Sequence, residues 1–279
     1  MPILRNDPNR KTMRFSLTLR NPAPGSSIPL NYAYKISAWI YQAIGRSDEA
    51  FSEQLHESGF GAEGRQFRLF NFSALRVPER RVEGDRLLLL SPRLYLTVSF
   101  CAGPSAEHFL TGLFRRERLE IADAGGRVLL PVEELRLEPL PDFSQPLRLR
   151  SLSPVCVSLP EQRGARSIAR YLSPLEEGYG ARLLENLRQK YQAAAAQLEG
   201  YPPLGPEAGP PWAFRLLSEP RSRLITIAAG SSRETRVRGY DFACELQGPE
   251  ALLRLMHFAG LGEKNSMGFG CMGVQEERR

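Results

Sequence analysis

From Met13 to Arg20 (MRFSLTLR) apolar Phe15, Leu17 and Leu19 alternate with polar neighbours, and this period of two predicts a half-buried strand. A Pro/Gly/Ser-rich stretch over 21–29 closes it. The spacing then changes to a helical one: Ala33, Ile36, Ile40, Ala43 and Ile44 predict a helix over 31–45 that Gly45 can stop. A shorter helix should follow, with Ser47 as N-cap, Asp48 and Glu49 opposing the positive helix end, Phe51 and Leu55 turned inward and Gly59 as its stop. Strand patterns occupy 67–72, 86–91 and 94–100, then come a helix over 105–116 and strands near 128–140. The order β, α, β, β, α, β is that of a ferredoxin-like unit.

Residues 139–146 (PLPDFSQP) punctuate the chain and predict a boundary between an N-terminal domain, 1–140, and a C-terminal domain, 141–279. Beyond it the pattern predicts a strand over 147–157 and a helix over 183–198, where consecutive alanines favour helix. After a loop at 202–211, strands are expected at 214–217, 224–229 and 240–246. A last helix over 249–259 has Pro249 near its start and Gly260 past its end, and a strand at 269–275 finishes the chain. The second half repeats the order of the first. The predicted class is therefore α+β, two tandem ferredoxin-like (RRM-like) domains with a glycine-rich loop near the C-terminus.

Composition adds exclusions. With 42% hydrophobic and 24% charged positions, 279 residues suit two modest cores. No run approaches the roughly 18–20 apolar residues of a membrane span, and residues 1–14 have no apolar signal core, so a cytoplasmic protein without membrane contact is expected. Cys101, Cys156, Cys244 and Cys271 lie far apart with no CxxC and no neighbouring His, which predicts buried small hydrophobes rather than a zinc site or a disulfide framework.

Charge points to a partner class. The net charge is +6, and 33 of the 37 basic residues are Arg, whose planar fork suits phosphate and base stacking. A coding bias toward Arg would give the same count. Arg221, Arg223, Arg233, Arg236 and Arg238 cluster around a predicted hairpin, while Arg163, Arg166 and Arg170 crowd a loop; each cluster could collect phosphate contacts or simply be a solvated face. Neither predicted sheet carries the aromatic signature of a base-stacking RNA-recognition motif.

The sharpest local motif is GLGEKNSMGFG over 260–270. Gly260, Gly262, Gly268 and Gly270 allow close backbone approach to an anion, Lys264 adds a point charge, and Asn265 and Ser266 add polar groups, so the loop is a candidate RNA-backbone cradle. It is neither a Walker loop nor a dinucleotide fingerprint, because no GK[ST] follows and a strand rather than a helix comes next. A glycine-rich turn with no ligand is the plainer alternative.

This loop running into a last strand, behind IYQAI, LHESGF and FRLFNFS in the first half, resembles the CRISPR-associated repeat-RNA-processing endoribonuclease family (Cas-six type, RAMP superfamily). The resemblance covers residues 31–73 and 255–273, and the segment from Tyr41 to His56 is what makes it specific, since noncatalytic relatives share the terminal loop. It implies a catalytic tyrosine at Tyr41 and a catalytic histidine at His56. On helices of about 100° per residue, both lie roughly 110° from the apolar stripe and can face away from the core. Where the family often has a lysine, this chain has Arg68, which can stabilise a phosphorane but will not donate a proton near neutral pH. His108 and His257 are alternatives for a third role, each beside apolar residues that favour a structural one.

The implied reaction is metal-independent and uses no cofactor. A ribose 2′-OH attacks the adjacent phosphate, leaving 2′,3′-cyclic phosphate and 5′-OH ends, with Tyr41 and His56 sharing the proton work in an order the residues leave open. The implied partner is CRISPR repeat RNA, with other subunits of a CRISPR effector complex as a second class, and the protein a monomer or homodimer. A catalytically inactive repeat-RNA binding subunit is the alternative; an unrelated basic scaffold protein is a third.

Overall fold

The computed structural model describes residues 12–62, 65–101, 103–115, 118–164, 166–198, 200–205, 211–229, 232 and 234–275. The first half runs β1 (Met13–Arg20), β2 (Ser26–Pro29), α1 (Ala33–Ser47), α2 (Glu49–Glu57), β3 (Phe60–Ala62), β4 (Arg65–Phe67), β5 (Phe70–Phe72), β6 (Arg80–Glu83), β7 (Arg86–Leu89), β8 (Arg93–Phe100), α3 (Gly103–Arg115), β9 (Arg118–Asp123) and β10 (Gly126–Leu137). The second runs β11 (Leu147–Ser151), β12 (Ser158–Arg163), β13 (Arg166–Tyr171), α4 (Tyr179–Gln197), β14 (Ala213–Leu216), β15 (Arg221–Ile227), β16 (Thr235–Asp241), β17 (Ala243–Gln247), α5 (Glu250–Ala259), a 3-10 turn (Asn265–Met267) and β18 (Met272–Val274).

Two antiparallel sheets carry the fold, ordered β5-β8-β1-β10-β9 and β14-β17-β11-β18. With the edge strand β9 set aside, each places the second, third, first and fourth strands of a βαββαβ unit side by side, so the fold is a tandem ferredoxin-like one. β1 occupies the residues its alternation predicts, burying Phe15, Leu17 and Leu19. The stripe Ile36, Ile40, Ala43 and Ile44 of α1 is fully buried in the same core, each large side chain contributing roughly 1.5–3 kcal/mol. α1 and α3 cross so closely that a Cβ on Gly112 would lie 1.6 Å from the Ala43 carbonyl oxygen, a separation only glycine tolerates.

Several boundaries differ from those the pattern predicts, each for a local reason. Ser47 ends α1, and the cap of α2 is Asp48, whose carboxylate accepts from the Phe51 N–H at 2.9 Å. The expected strand 67–72 is broken at Leu69, which takes φ 51° and buries its side chain in the second core while Phe70 and Phe72 enter the first. The strand expected over 147–157 stops at Ser151, because Pro154 has no N–H for a ladder and the Ser153 hydroxyl accepts from the Cys271 N–H. The strand expected over 240–246 is split at Phe242, whose N–H donates to the Ser151 hydroxyl instead of a ladder carbonyl.

The halves are joined through the back of the first sheet and α5. Buried Arg14 ion-pairs Glu138 at 2.7 Å and donates to the carbonyls of His257 and Met272, and buried Asn71 donates to the Phe258 carbonyl. Phe60 packs against both cores. All four cysteines are buried and free, and no helix among the described residues is long and apolar enough to cross a membrane.

Candidate active site

α2 folds back along α1, fixed by the Ser52 hydroxyl donating to the Tyr41 carbonyl at 2.9 Å. This brings the Tyr41 and His56 rings edge to face with centroids 5.0 Å apart, while the other side of Tyr41 leans on Phe70 at 5.3 Å. The turn between β4 and β5 supplies Arg68, whose guanidinium donates to the carbonyls of His56 (2.5 Å) and Glu57 (2.9 Å). It thereby closes the C-terminal end of α2, where a cation offsets the helix dipole. Ser266 lines the cleft beside the Tyr41 phenol. These groups line one cleft of about 660 Å³.

The environment separates the two ring residues chemically. Burial pushes the Tyr41 phenol up to about 12, against the opposing pull of the Arg68 charge. At neutral pH it is a proton donor. His56, in contrast, is exposed on the last turn of α2.

Backbone strain marks the same cleft. Among the described residues three non-glycine positions have positive φ, Leu69 (51°), Ala228 (51°) and Lys264 (57°), and all three line it. Such conformations cost roughly 1–3 kcal/mol each and persist where the surroundings over-determine them, which is characteristic of functional sites.

The glycine-rich loop forms the far wall. Lys264, Asn265 and Ser266 line the cleft, whereas Gly260, Gly262, Gly268 and Gly270 are buried behind it, all at positive φ. The N–H groups of Gly260, Gly268 and Gly270 donate to the carbonyls of Met256, Asn265 and Pro154, so these glycines shape the wall and spend their donors inside the protein. A Cβ on Gly270 would stand 1.9 Å from the Leu261 carbonyl oxygen. Gly270→Ala is expected to cost more than about 2 kcal/mol, a left-handed penalty of ~1–2 plus overpacking of ~1–3; thermal unfolding of the purified variant measures it.

Lys190 is the residue that sequence patterning missed. It lies 2% exposed on α4, and its ammonium donates to the Gly260 carbonyl (2.8 Å), the Gly262 carbonyl (2.6 Å) and Asn265 Oδ1 (2.6 Å). Burial draws it down to about 7, with Glu263 opposing. A signal existed: Leu183, Leu187, Lys190, Tyr191 and Ala194 form the buried stripe of α4, and one charge in such a stripe needs buried partners.

The remaining candidates lie elsewhere. Arg163 and Arg166 are directly paired where hairpin β12–β13 turns. Arg236 and Arg238 sit exposed on β16 outside the cleft, Arg238 donating to the Ser222 hydroxyl at 3.2 Å; Arg233 lies outside the described residues. The His108 Nδ1 is hydrogen-bonded to the Ser47 hydroxyl at 3.0 Å with its ring beside Phe51, a joint between helices. His257 is buried between Phe143 and Phe258, and burial, then Arg14 and Arg254, bring it down to about 3. Neither histidine lines the cleft.

Comparison with known proteins gives a consistent set. The description "CRISPR associated protein Cas6, C-terminal" matches residues 138–274, and "CRISPR-associated protein Cas6, N-terminal" matches residues 27–128. Over 271 residues the chain is 24% identical to the CRISPR-associated endoribonuclease Cas6 1 of Methanocaldococcus jannaschii, covering 96% of this chain and 95% of that protein. It is 23% identical over 257 residues to the CRISPR-associated endoribonuclease Cas6 of Pyrococcus furiosus, covering 89% and 84%. The solved structure of a Cas6-related protein from Pyrococcus furiosus superposes with a TM-score of 0.79 at 19% identity, covering 96% of this chain and all of that one.

Proposed function

The chain belongs to the Cas6 family of CRISPR-associated proteins, and from that premise we propose that it is an endoribonuclease cutting CRISPR precursor RNA within its repeats. The observation that carries this reading is the meeting of Tyr41, His56 and Arg68, from two helices and a strand turn, in one cleft. In this reading the first domain, 1–140, holds the Tyr/His pair and the second, 141–279, brings the glycine-rich loop against it.

The reaction needs a nucleophile, a proton acceptor, a proton donor and a cation. The ribose 2′-OH adjacent to the scissile phosphate is the nucleophile. His56 takes its proton as the 2′-O–P bond forms. The P–O5′ bond breaks as Tyr41, protonated at neutral pH because of its burial, gives its proton to the leaving oxygen. Arg68 stabilises both the phosphorane and the developing phenolate, standing where charge accumulates. No metal enters these steps, and the products carry 2′,3′-cyclic phosphate and 5′-OH ends. Lys264 and Ser266 hold the RNA at the loop, Asn265 serving it from inside by anchoring the turn, and the exposed Arg236 and Arg238 extend the basic surface.

The test is single-turnover cleavage of cognate repeat RNA in EDTA with end-group analysis. His56→Ala is expected to lower the rate at least ~100-fold, the usual share of a positioned acid or base, with RNA affinity nearly unchanged. Tyr41→Phe should slow it as well. A wild-type rate in His56→Ala removes His56 from the site, and RNA bound but never cut by the wild-type protein supports the inactive binding subunit instead.

A further inference from the structure

Tyr34 and Tyr41 are seven residues apart on α1, so they share a face about 10.5 Å apart along the axis. Both line the cleft, but Tyr34 is 40% exposed, and its ring and hydroxyl make no hydrogen bond or ring contact with the described residues. Other tyrosines of this chain are engaged: Tyr32 accepts from the Leu75 N–H, Tyr191 donates to the Pro202 carbonyl, and Arg76 lies over the Tyr95 ring.

The surroundings of Tyr34 fit a planar ligand. Ile227, Ala228 and Met267 line the cleft with it, and the hairpin carrying Ile227 is tied to the start of α1 by the Thr226 N–H donating to Asn31 Oδ1 at 3.1 Å. Ile227 and Met267 are themselves held by Phe269 and its neighbours. The strained turn at Ala228 is part of this wall. Polar Arg65, Gln66 and Asn186 line the same cleft. The cleft thus combines an aromatic-apolar lining with polar groups, Tyr41 and Arg68 among its walls.

Resting on the endoribonuclease reading, we infer that Tyr34 is a base-stacking platform for a nucleotide flanking the scissile phosphate, with the Ile227–Ala228 wall covering the other side of the base. An exposed tyrosine face in a cleft that also has apolar walls is what an unstacked RNA base seeks, and every base has a π-face, so the subsite recognises a base without fixing its identity. Tyr34 is a positioning residue: by seating one neighbour, it sets the phosphate against Tyr41.

The experiment pairs Tyr34→Ala and Tyr34→Phe with repeat RNAs carrying one abasic site at successive positions around the cut. Cleavage is measured on ribose substrates and affinity on the same RNAs with a 2′-deoxy at the cut. Tyr34→Ala should lose roughly 5- to 150-fold, the range of one base–aromatic stack, and Tyr34→Phe should keep the wild-type value. One abasic position should cost wild type the same factor and cost Tyr34→Ala nothing further. Equal sensitivity of wild type and Tyr34→Ala to every abasic position overturns the stack. If wild type cuts no repeat RNA yet the abasic coupling appears in affinity, the stack stands and the endoribonuclease reading falls; if wild type neither cuts nor binds, both fall.

Discussion

A repeat RNA with a single deoxyribose immediately 5′ of the cut is expected to bind the protein and stay whole. In the proposed reaction Tyr41 and His56 move protons, Arg68 stabilises charge, and no side chain is given the role of nucleophile. The 2′-oxygen alone attacks. Removing Tyr41 or His56 leaves the remaining groups and the positioning to give a residual rate, since a general acid or base contributes ~10²–10⁴, whereas removing the attacking atom leaves no path. Affinity should shift only a few-fold, because one hydroxyl is lost among many phosphate contacts. Single-turnover assays with the all-ribose RNA alongside check this. Cleavage of the deoxy-substituted RNA means that water attacks and that the roles given to Tyr41 and His56 are wrong.

What the sequence revealed was local, and what it hid was tertiary. α1 and β1 are legible because Ile36, Ile40 and Ile44, or Phe15, Leu17 and Leu19, repeat at one period and face one core. The tandem ferredoxin-like order follows from such elements in sequence. Hairpin β12–β13 (SLPEQR with RSIARY) has no alternation to find and contains Pro160. Tyr41 and His56 were picked out by resemblance, and only the return of α2 along α1 puts their rings together. Arg68 could be named, yet its direction depends on Leu69 adopting φ 51° to enter the second core. The glycines of the loop promised open donors; packing against Pro154, Leu261 and Asn265 uses several of them internally, the Asn265 amide is bonded inward as well, and Lys264 and Ser266 line the cleft.

Lys190→Met should be the substitution outside the chemistry with the largest effect, and its size should depend on pH. Methionine fills the stem's space but leaves the Gly260 and Gly262 carbonyls and Asn265 Oδ1 without the ammonium that now satisfies them. A buried acceptor left unpaired costs about 1–3 kcal/mol, offset in part because methionine brings no charge to desolvate. In wild type the lysine sits near 7 in the folded chain against about 10.4 when unfolded. Between those values the unfolded chain holds a proton that the folded one does not, so wild-type stability rises with pH across that window. Below it, both states are protonated and this contribution is flat. The variant lacks the slope. The stability gap between wild type and Lys190→Met should therefore be smallest at pH 6 and wider at pH 9, by about 2–3 kcal/mol at 1.36 kcal/mol per unit. Urea unfolding at both pH values measures it, and equal gaps would show that Lys190 does not titrate in the folded protein. The same variant should cleave more slowly, because Asn265 anchors the turn that lines the cleft with Tyr41, and a loosened turn alters the wall against which the RNA is held.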